Sequence, residues 1–493
     1  LPDGGNDWWD WHCPPGKVKT PMIFPFPLFL SFGLLLLTLA AYLFRRMEQL
    51  VSGLAGLFTG VLALWLLGDA PARDVVPVLG RLVQVDMRAV VVRFDLSFHL
   101  TPTAVPILGL TLLLTAAVLL LNATASQGRS FPPFALLLAW GYCLLLLLTD
   151  APLNPLLLMP AFLAVLTALS VYALQAGRLG GTLGPLRSLL PPLIAFPLFV
   201  LASWHIDSLS INPQDVLAGA AAARFLAVGL LLLLAPVPLH SAGPELAENA
   251  PPLAVAFLTL LYQLATLALL LRMTALFPFI EENSALSLWL TGTGLLTAVW
   301  GGLAATGASH PGRLWGYALI HDWGLILLML AAPGDNGAAL VIFLFGLRML
   351  STLAGAVGLA NLRKAAGSLQ PSRLRGIGRS LPWSTSAYVL GGLGLAGFPL
   401  SAGFTGHWAA LQTVAQTDWR VATIVLVASG GIVVGFVRQI RILYDPRSLP
   451  THTSERLLNT LVALAAILVV SGAALSPQTF SGFVSWVMMA FHG

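Results

Sequence analysis

Residues 392–408 read GLGLAGFPLSAGFTGHW, so that glycines and a proline interrupt an apolar run long enough to cross a membrane. An earlier apolar run is interrupted in the same way at residues 234–244, LAPVPLHSAGP. Pro and Gly inside a span free backbone groups that need partners, so such breaks usually line a cavity. An ordinary proline kink would explain either break alone, but breaks five spans apart are typical of an inverted-repeat transporter. The residues that form the breaks are Pro236, Pro238, His240, Gly397, Pro399 and Gly403.

The composition places most of the chain in lipid. Of its 493 residues, 57% are hydrophobic and 9% are charged, far below the charged fraction of about 25% in soluble domains. The apolar runs predict an all-α polytopic membrane protein with about fourteen transmembrane helices. Arginine dominates the basic residues, which lie mostly in short loops, as membrane topology requires, so they do not predict nucleic-acid binding. The only cysteines, Cys13 and Cys143, exclude a disulfide framework and a zinc cluster.

The chain divides into segments at charged, Pro-rich and Gly-rich boundaries. An alternating polar and apolar pattern between the second and third helices predicts a short extramembrane β-hairpin. Lysine and arginine are more frequent in the loops on one side, which predicts that both termini face the periplasm of a bacterial inner membrane. The predicted segments are a periplasmic N-terminal segment (1–21), two helices (22–80), the hairpin-like connection (81–101), a third helix (102–130), a first repeat (131–280), a second repeat (281–445), and a C-terminal helix with its tail (446–493).

Three motifs resemble those of a known membrane family. Residues 317–324, YALIHDWG, resemble that family's Y-S-S-I-x-H-x-G, and residues 392–408 resemble its S-L-A-G-x-P-x-x-x-G-F-x-G-K-W. Residues 238–252 resemble a third pattern of the family, which follows its first broken helix. The family comprises the antiporter-like, proton-translocating membrane subunits of respiratory complex I (NADH:quinone oxidoreductase) and of multisubunit cation/proton antiporters.

The resemblance implies about fourteen helices with two inverted five-helix repeats, spans 4–8 and 9–13, each containing a broken helix. It also implies other membrane subunits of a large energy-converting complex as partners. Members of the family carry a glutamate in the fifth span and buried lysines in the seventh, eighth and twelfth spans, and these groups move the protons.

This sequence departs from that pattern. Its three lysines, Lys17, Lys19 and Lys364, all lie outside the predicted spans. The lysine positions of the seventh and eighth spans fall near Leu233 and near Gln263 or Leu264, and the fifth span, 152–174, contains no carboxylate. A buried lysine beside a carboxylate can exchange a proton, whereas leucine cannot. The amino-terminal half is therefore predicted to lack the usual proton path.

The second half keeps four polar candidates for a proton path. His407 stands at the family's lysine position in the twelfth span, and Asp322 lies near its histidine position with His321 beside it. Arg348 falls inside the eleventh span, where a charge costs roughly 3 kcal/mol, so it must face protein or water. In one interpretation these residues form a modified relay, since histidine titrates near neutral pH. In the other, Asp322 and Arg348 form a fixed ion pair and His407 is a hydrogen-bonded core residue.

Three functions remain open from the sequence. The first is an antiporter-like subunit of a complex I-like quinone oxidoreductase with a lost or rewired proton path. The second is a proton-conducting subunit of an inorganic-carbon uptake or cation/proton antiporter system, and the third is a membrane scaffold for a peripheral enzyme. The sequence predicts no catalytic site, metal site or cofactor of its own, so redox or hydration chemistry is expected in other chains. Expected partners are lipid and membrane subunits, not nucleic acid.

Overall fold

The computed structural model describes residues 22–68, 73–78, 81–93, 96–149, 161, 163–170, 183–212, 214–283, 285–332, 335–446 and 455–492. The α-helices are α1 (Phe26–Leu43), α2 (Glu48–Leu67), α3 (Ala104–Thr124), α4 (Phe131–Leu147), α5 (Leu183–Ile211), α6 (Val216–Leu233), α7 (Ala242–Asn249), α8 (Pro252–Leu276), α9 (Phe279–Asn283), α10 (Leu286–Gly307), α11 (Pro311–Leu330), α12 (Asp335–Ala366), α13 (Pro371–Leu374), α14 (Pro382–Gly394), α15 (Gly403–Leu443), α16 (Leu457–Leu475) and α17 (Ser481–His492). The strands are β1 (Met22–Pro25), β2 (Arg73–Val78), β3 (Arg81–Asp86), β4 (Val91–Arg93), β5 (Leu96–Phe98) and β6 (Leu148–Thr149).

Most helices have the length and apolarity of membrane spans. Within the described ranges, ten helices are long and apolar enough to cross a membrane, and α4 is a shorter apolar helix. The prediction of an all-α polytopic membrane protein is therefore confirmed, while the number of fourteen spans and the inverted repeats stay predictions. The N-terminal segment 1–21 and most of the predicted fifth span, 152–174, lie outside the described residues.

The strands form two small sheets that extend beyond the predicted hairpin. In the first sheet β2 pairs antiparallel with β3, and β1 pairs parallel with the other edge of β3. In the second sheet β4, β5 and β6 pair antiparallel in that order. Strand pairing thus begins before residue 81, and the first four residues of the predicted first span are a strand, because Pro25 and Pro27 place the start of α1 at Phe26.

Both interruptions expected from proline and glycine are present as breaks in helices. The helix α6 ends at Leu233, Ala235 has a φ of 46°, the Val237–Pro238 peptide is cis, and α7 starts at Ala242. The second break separates α14 from α15, and Gly397 within it has a φ of 68°. Helix α15 also contains a non-helical residue, Asp418, which divides it into two helical segments.

Glycines bring α10, α11 and α15 into close contact around the centre of the second half. A Cβ added at Gly324 of α11 would lie 2.3 Å from the backbone nitrogen of Ala298 in α10. A Cβ added at Gly302 of α10 would lie 2.1 Å from the carbonyl oxygen of Ala428 in α15. Small residues allow such approach between membrane helices. The close packing fixes the distance between the polar side chains of these helices.

Candidate functional site

Asp322 of α11 is the centre of a buried charge network. Its side chain accepts two bonds, one on each oxygen: His407 Nε2 donates to Oδ1 at 2.8 Å, and Arg348 Nη1 donates to Oδ2. The three residues are almost fully buried, with 3%, 3% and 1% of their surfaces exposed for Asp322, His407 and Arg348. They come from α11, α15 and α12, so the fold brings together three of the four candidates.

Arg348 extends this network from the second half toward the first. Besides Asp322, it donates from Nη1 to the Leu319 carbonyl at 2.9 Å and from Nε to Gln263 Oε1 at 3.0 Å. Its guanidinium also lies 5.6 Å from the centre of the Trp323 ring. A buried charge is tolerated only when it is paired and hydrogen-bonded. Arg348 meets that condition through partners on both sides of the boundary between the predicted repeats.

His321, the fourth candidate, lies beside the network, but its two ring nitrogens bond groups outside it. Its Nδ1 is 2.8 Å from the Ala298 carbonyl oxygen, and its Nε2 is 2.9 Å from Ser429 Oγ. The centre of its ring is 6.1 Å from that of His407. Both ring nitrogens therefore have partners, and among the described contacts neither partner is Asp322 or His407.

The second break positions His407. A Cβ on Gly397 would lie 2.3 Å from His407 Nδ1 and 2.5 Å from its Cβ. The left-handed φ of Gly397 is also a conformation that glycine adopts without strain. Gly397 therefore permits both the left-handed turn of the backbone and the close approach of the His407 imidazole. Pro399 and Gly403 lie in the same break, and Gly403 is the first residue of α15.

Side chains from three other helices satisfy the backbone at the first break. Tyr262 of α8 donates to the Leu233 carbonyl at 2.8 Å, and Trp323 of α11 donates to the Leu234 carbonyl at 2.8 Å. The amide nitrogen of Val237 donates to a threonine hydroxyl of α10 at 3.0 Å. These contacts replace bonds that a continuous helix would make. Hydrogen bonds from other protein groups thus stabilise the first break, which also lines a cavity.

A cavity of about 150 Å³ lies between the first break and Arg348. Its wall includes His240 from the break together with Tyr142, Gln263 and Trp323. One water molecule occupies roughly 30 Å³ in the liquid, so several would fit. Leu233, at the predicted register of the family's lysine, is 1% exposed.

The remaining charged residues near the breaks form peripheral ion pairs. Glu245 lies 2.6 Å from Arg187, and Glu248 lies 3.4 Å from Arg313, and both arginines are substantially exposed. Both glutamates lie in the short helix α7. Close by, at the start of α11, burial lowers the pKa of His310, although the negative charge of Glu248 opposes that shift.

Sequence reasoning missed two members of the site. It placed Gln263 near a lysine position of the family without giving it a partner, whereas its side chain accepts from Arg348, and it did not select Trp323. An amide inside an apolar span was the available signal for Gln263. The ring of Trp323 gave none, since aromatic residues are frequent in membrane helices. Within the described ranges there is no group of three or more metal-ligating side chains.

Comparison with known proteins gives one family and several relatives. Residues 201–433 match the model of the NADH:quinone oxidoreductase/Mrp antiporter membrane domain. NADH-quinone oxidoreductase subunit N 1 of Solidesulfovibrio magneticus is 28% identical over 411 residues, which cover 78% of this chain and 86% of that protein. Subunit N of a Mycobacterium species is 26% identical over 362 residues, covering 73% and 74% of the two chains.

Solved structures share the fold at lower sequence identity. A chain of the archaeal membrane-bound sulfane sulfur reductase superposes with a TM-score of 0.74 at 17% identity, covering 94% of this chain and 96% of that one. A chain of Thermus thermophilus respiratory complex I gives 0.72 at 19% identity, with coverages of 93% and 99%. A chain of the Mrp complex from Dietzia gives 0.71 at 16% identity, with coverages of 94% and 97%.

Proposed function

Because this chain is a divergent member of the antiporter-like membrane subunits of complex I-type and Mrp-like assemblies, we propose that it couples movements within a complex I-like quinone oxidoreductase. In this role its own lysine-based proton path is lost. The network around Asp322 then serves as an electrostatic brace between the two halves of the subunit, and the redox chemistry belongs to other chains.

The observation that carries the proposal is the occupation of both Asp322 oxygens. One oxygen bonds Arg348, which does not release its proton in proteins, and the other bonds His407. Arg348 in turn bonds Gln263 of α8. This chain of contacts joins the two halves through groups that hold fixed positions. His321, which a continuous relay would need, bonds Ala298 and Ser429 instead.

The side chains and hydrogen bonds around the first break support the same proposal. Leu233 places a buried alkyl side chain at the lysine register. The carbonyl groups of Leu233 and Leu234 at the break are satisfied by Tyr262 and Trp323. A titrating group is therefore replaced by apolar packing and fixed hydrogen bonds, which suits a structural role.

The test is proton transport by the intact complex, purified through a tag on this chain and reconstituted in vesicles. His407→Gln keeps a hydrogen-bonding side chain and removes titration. We expect quinone-linked proton transport at no less than about half the wild-type rate, like the exposed control Trp408→Phe. A loss of transport of roughly a hundredfold, the scale of a lost proton-transfer group, in a fully assembled complex would instead establish a relay through His407.

The composition of the purified complex tests the parent assembly. We expect quinone-site and electron-input subunits to co-purify with the tagged chain. Co-purification of a zinc-containing, carbonic-anhydrase-like partner would contradict this proposal and would indicate an inorganic-carbon uptake system. Co-purification of further antiporter subunits without any redox subunit would replace it with cation/proton antiport.

A further inference from the structure

The cavity beside the first break carries positive charge on its wall. It has a volume of about 150 Å³ and is bounded by His240 at the break and by Arg348 and Gln263. Among the described lining residues there is no carboxylate. The charged side chain of the described wall is thus the cation of Arg348, which disfavours a cation as the occupant.

Arg348 retains unused hydrogen-bonding capacity. Its Nε and Nη1 bond Gln263, Leu319 and Asp322, but Nη2 has no hydrogen-bond partner within the described part of the chain although it is buried. Buried nitrogen–hydrogen groups are seldom left without a partner. Arg348 as a whole residue is 1% exposed, so bulk solvent does not supply a partner for Nη2.

We propose that this cavity binds a small monovalent anion, held by Arg348. A guanidinium group offers forked donors that suit an anion, and the largely apolar surroundings strengthen the attraction. The volume admits a halide or a small oxyanion. This site goes beyond the proposed coupling role, since it adds a ligand between the two predicted repeats of the subunit.

Asp322 sets the affinity of the site. The carboxylate and the bound anion share the positive charge of Arg348, so each weakens the hold of the other, and this competition is reciprocal. Removing the charge of Asp322 must therefore tighten anion binding. A cavity that holds only water would show no such response.

The experiment measures binding of radioactive chloride to the purified complex by scintillation proximity, with gluconate keeping the ionic strength constant. We expect saturable binding in the wild type and about tenfold tighter binding in Asp322→Asn, within the usual range of coupling between sites. Gln263→Glu places a competing carboxylate beside Arg348 without altering the arginine, and we expect roughly tenfold weaker binding. The control is Arg441→Gln, which alters an exposed arginine at the end of α15.

The variants separate the proposal from general damage. A misfolded complex would weaken chloride binding in both Asp322→Asn and Gln263→Glu, whereas the proposal requires opposite changes in the two. Absence of saturable chloride binding in the wild type would show that the cavity holds water only and would overturn the proposal. Binding that Arg441→Gln removes and Gln263→Glu leaves unchanged would place the anion on the surface and would also overturn it.

Discussion

Removing the negative charge of Asp322 is the most informative single perturbation of this protein. Asp322→Asn keeps the shape of the side chain and its capacity to accept from Arg348, but it removes the negative charge. Arg348 then remains buried as a cation, with a neutral amide in place of its counter-ion. The introduced amide would still reach His407, so the substitution isolates the charge from the geometry.

The expected loss of unfolding free energy follows from the burial of both charges. Asp322 and Arg348 are 3% and 1% exposed, so water screens neither charge effectively. Breaking a buried pair by removing one partner typically costs about 3–5 kcal/mol, because the other charge is left uncompensated. We expect Asp322→Asn to lower the free energy of unfolding by about 3 kcal/mol, at the low end because the hydrogen bond to the amide persists.

Denaturant unfolding of the purified protein in detergent, followed by tryptophan fluorescence, measures this free energy. The matched comparison is the double variant Asp322→Leu with Arg348→Met, in which both charges are replaced by apolar groups of similar size. Such replacements are often neutral or stabilising, so we expect the double variant to be more stable than Asp322→Asn alone. A single variant within about 0.5 kcal/mol of wild type, the range usual for surface substitutions, would refute the buried-pair reasoning.

Two further substitutions test the breaks. Gly397→Ala adds a Cβ against His407 at a left-handed φ, and we expect at least about 1–2 kcal/mol of destabilisation by the same unfolding assay, the cost of that φ alone. The control Gly430→Ala has nothing within 4 Å of the new Cβ and should be nearly neutral. Trp323→Phe removes the donor to the Leu234 carbonyl, and we expect a loss of about 1 kcal/mol with faster hydrogen exchange around the first break. Unchanged exchange there would contradict this role of Trp323.

Much of this site was visible in the sequence because its residues are unusual where they stand. Asp322 and Arg348 are charges inside apolar runs, where a charge is rare and must have a partner. Only a few such partners exist in this chain, so the pair could be predicted. Gln263 could not be predicted as a partner, since an uncharged amide is tolerated in a span and its contact depends on how α8 is rotated against α12.

The sequence alone determined that the chain lies in a membrane, where two of its helices break, and that no lysine occupies a predicted span. Each of these follows from local chemistry: the solvation of apolar runs, the dihedral freedom of glycine and the missing nitrogen–hydrogen group of proline. Only the tertiary structure showed that His321 and Asp322 bond different partners. Successive residues of a helix point about 100° apart, so these neighbours in sequence face different helices. Asp322 meets Arg348 and His407, while His321 bonds Ala298 and Ser429.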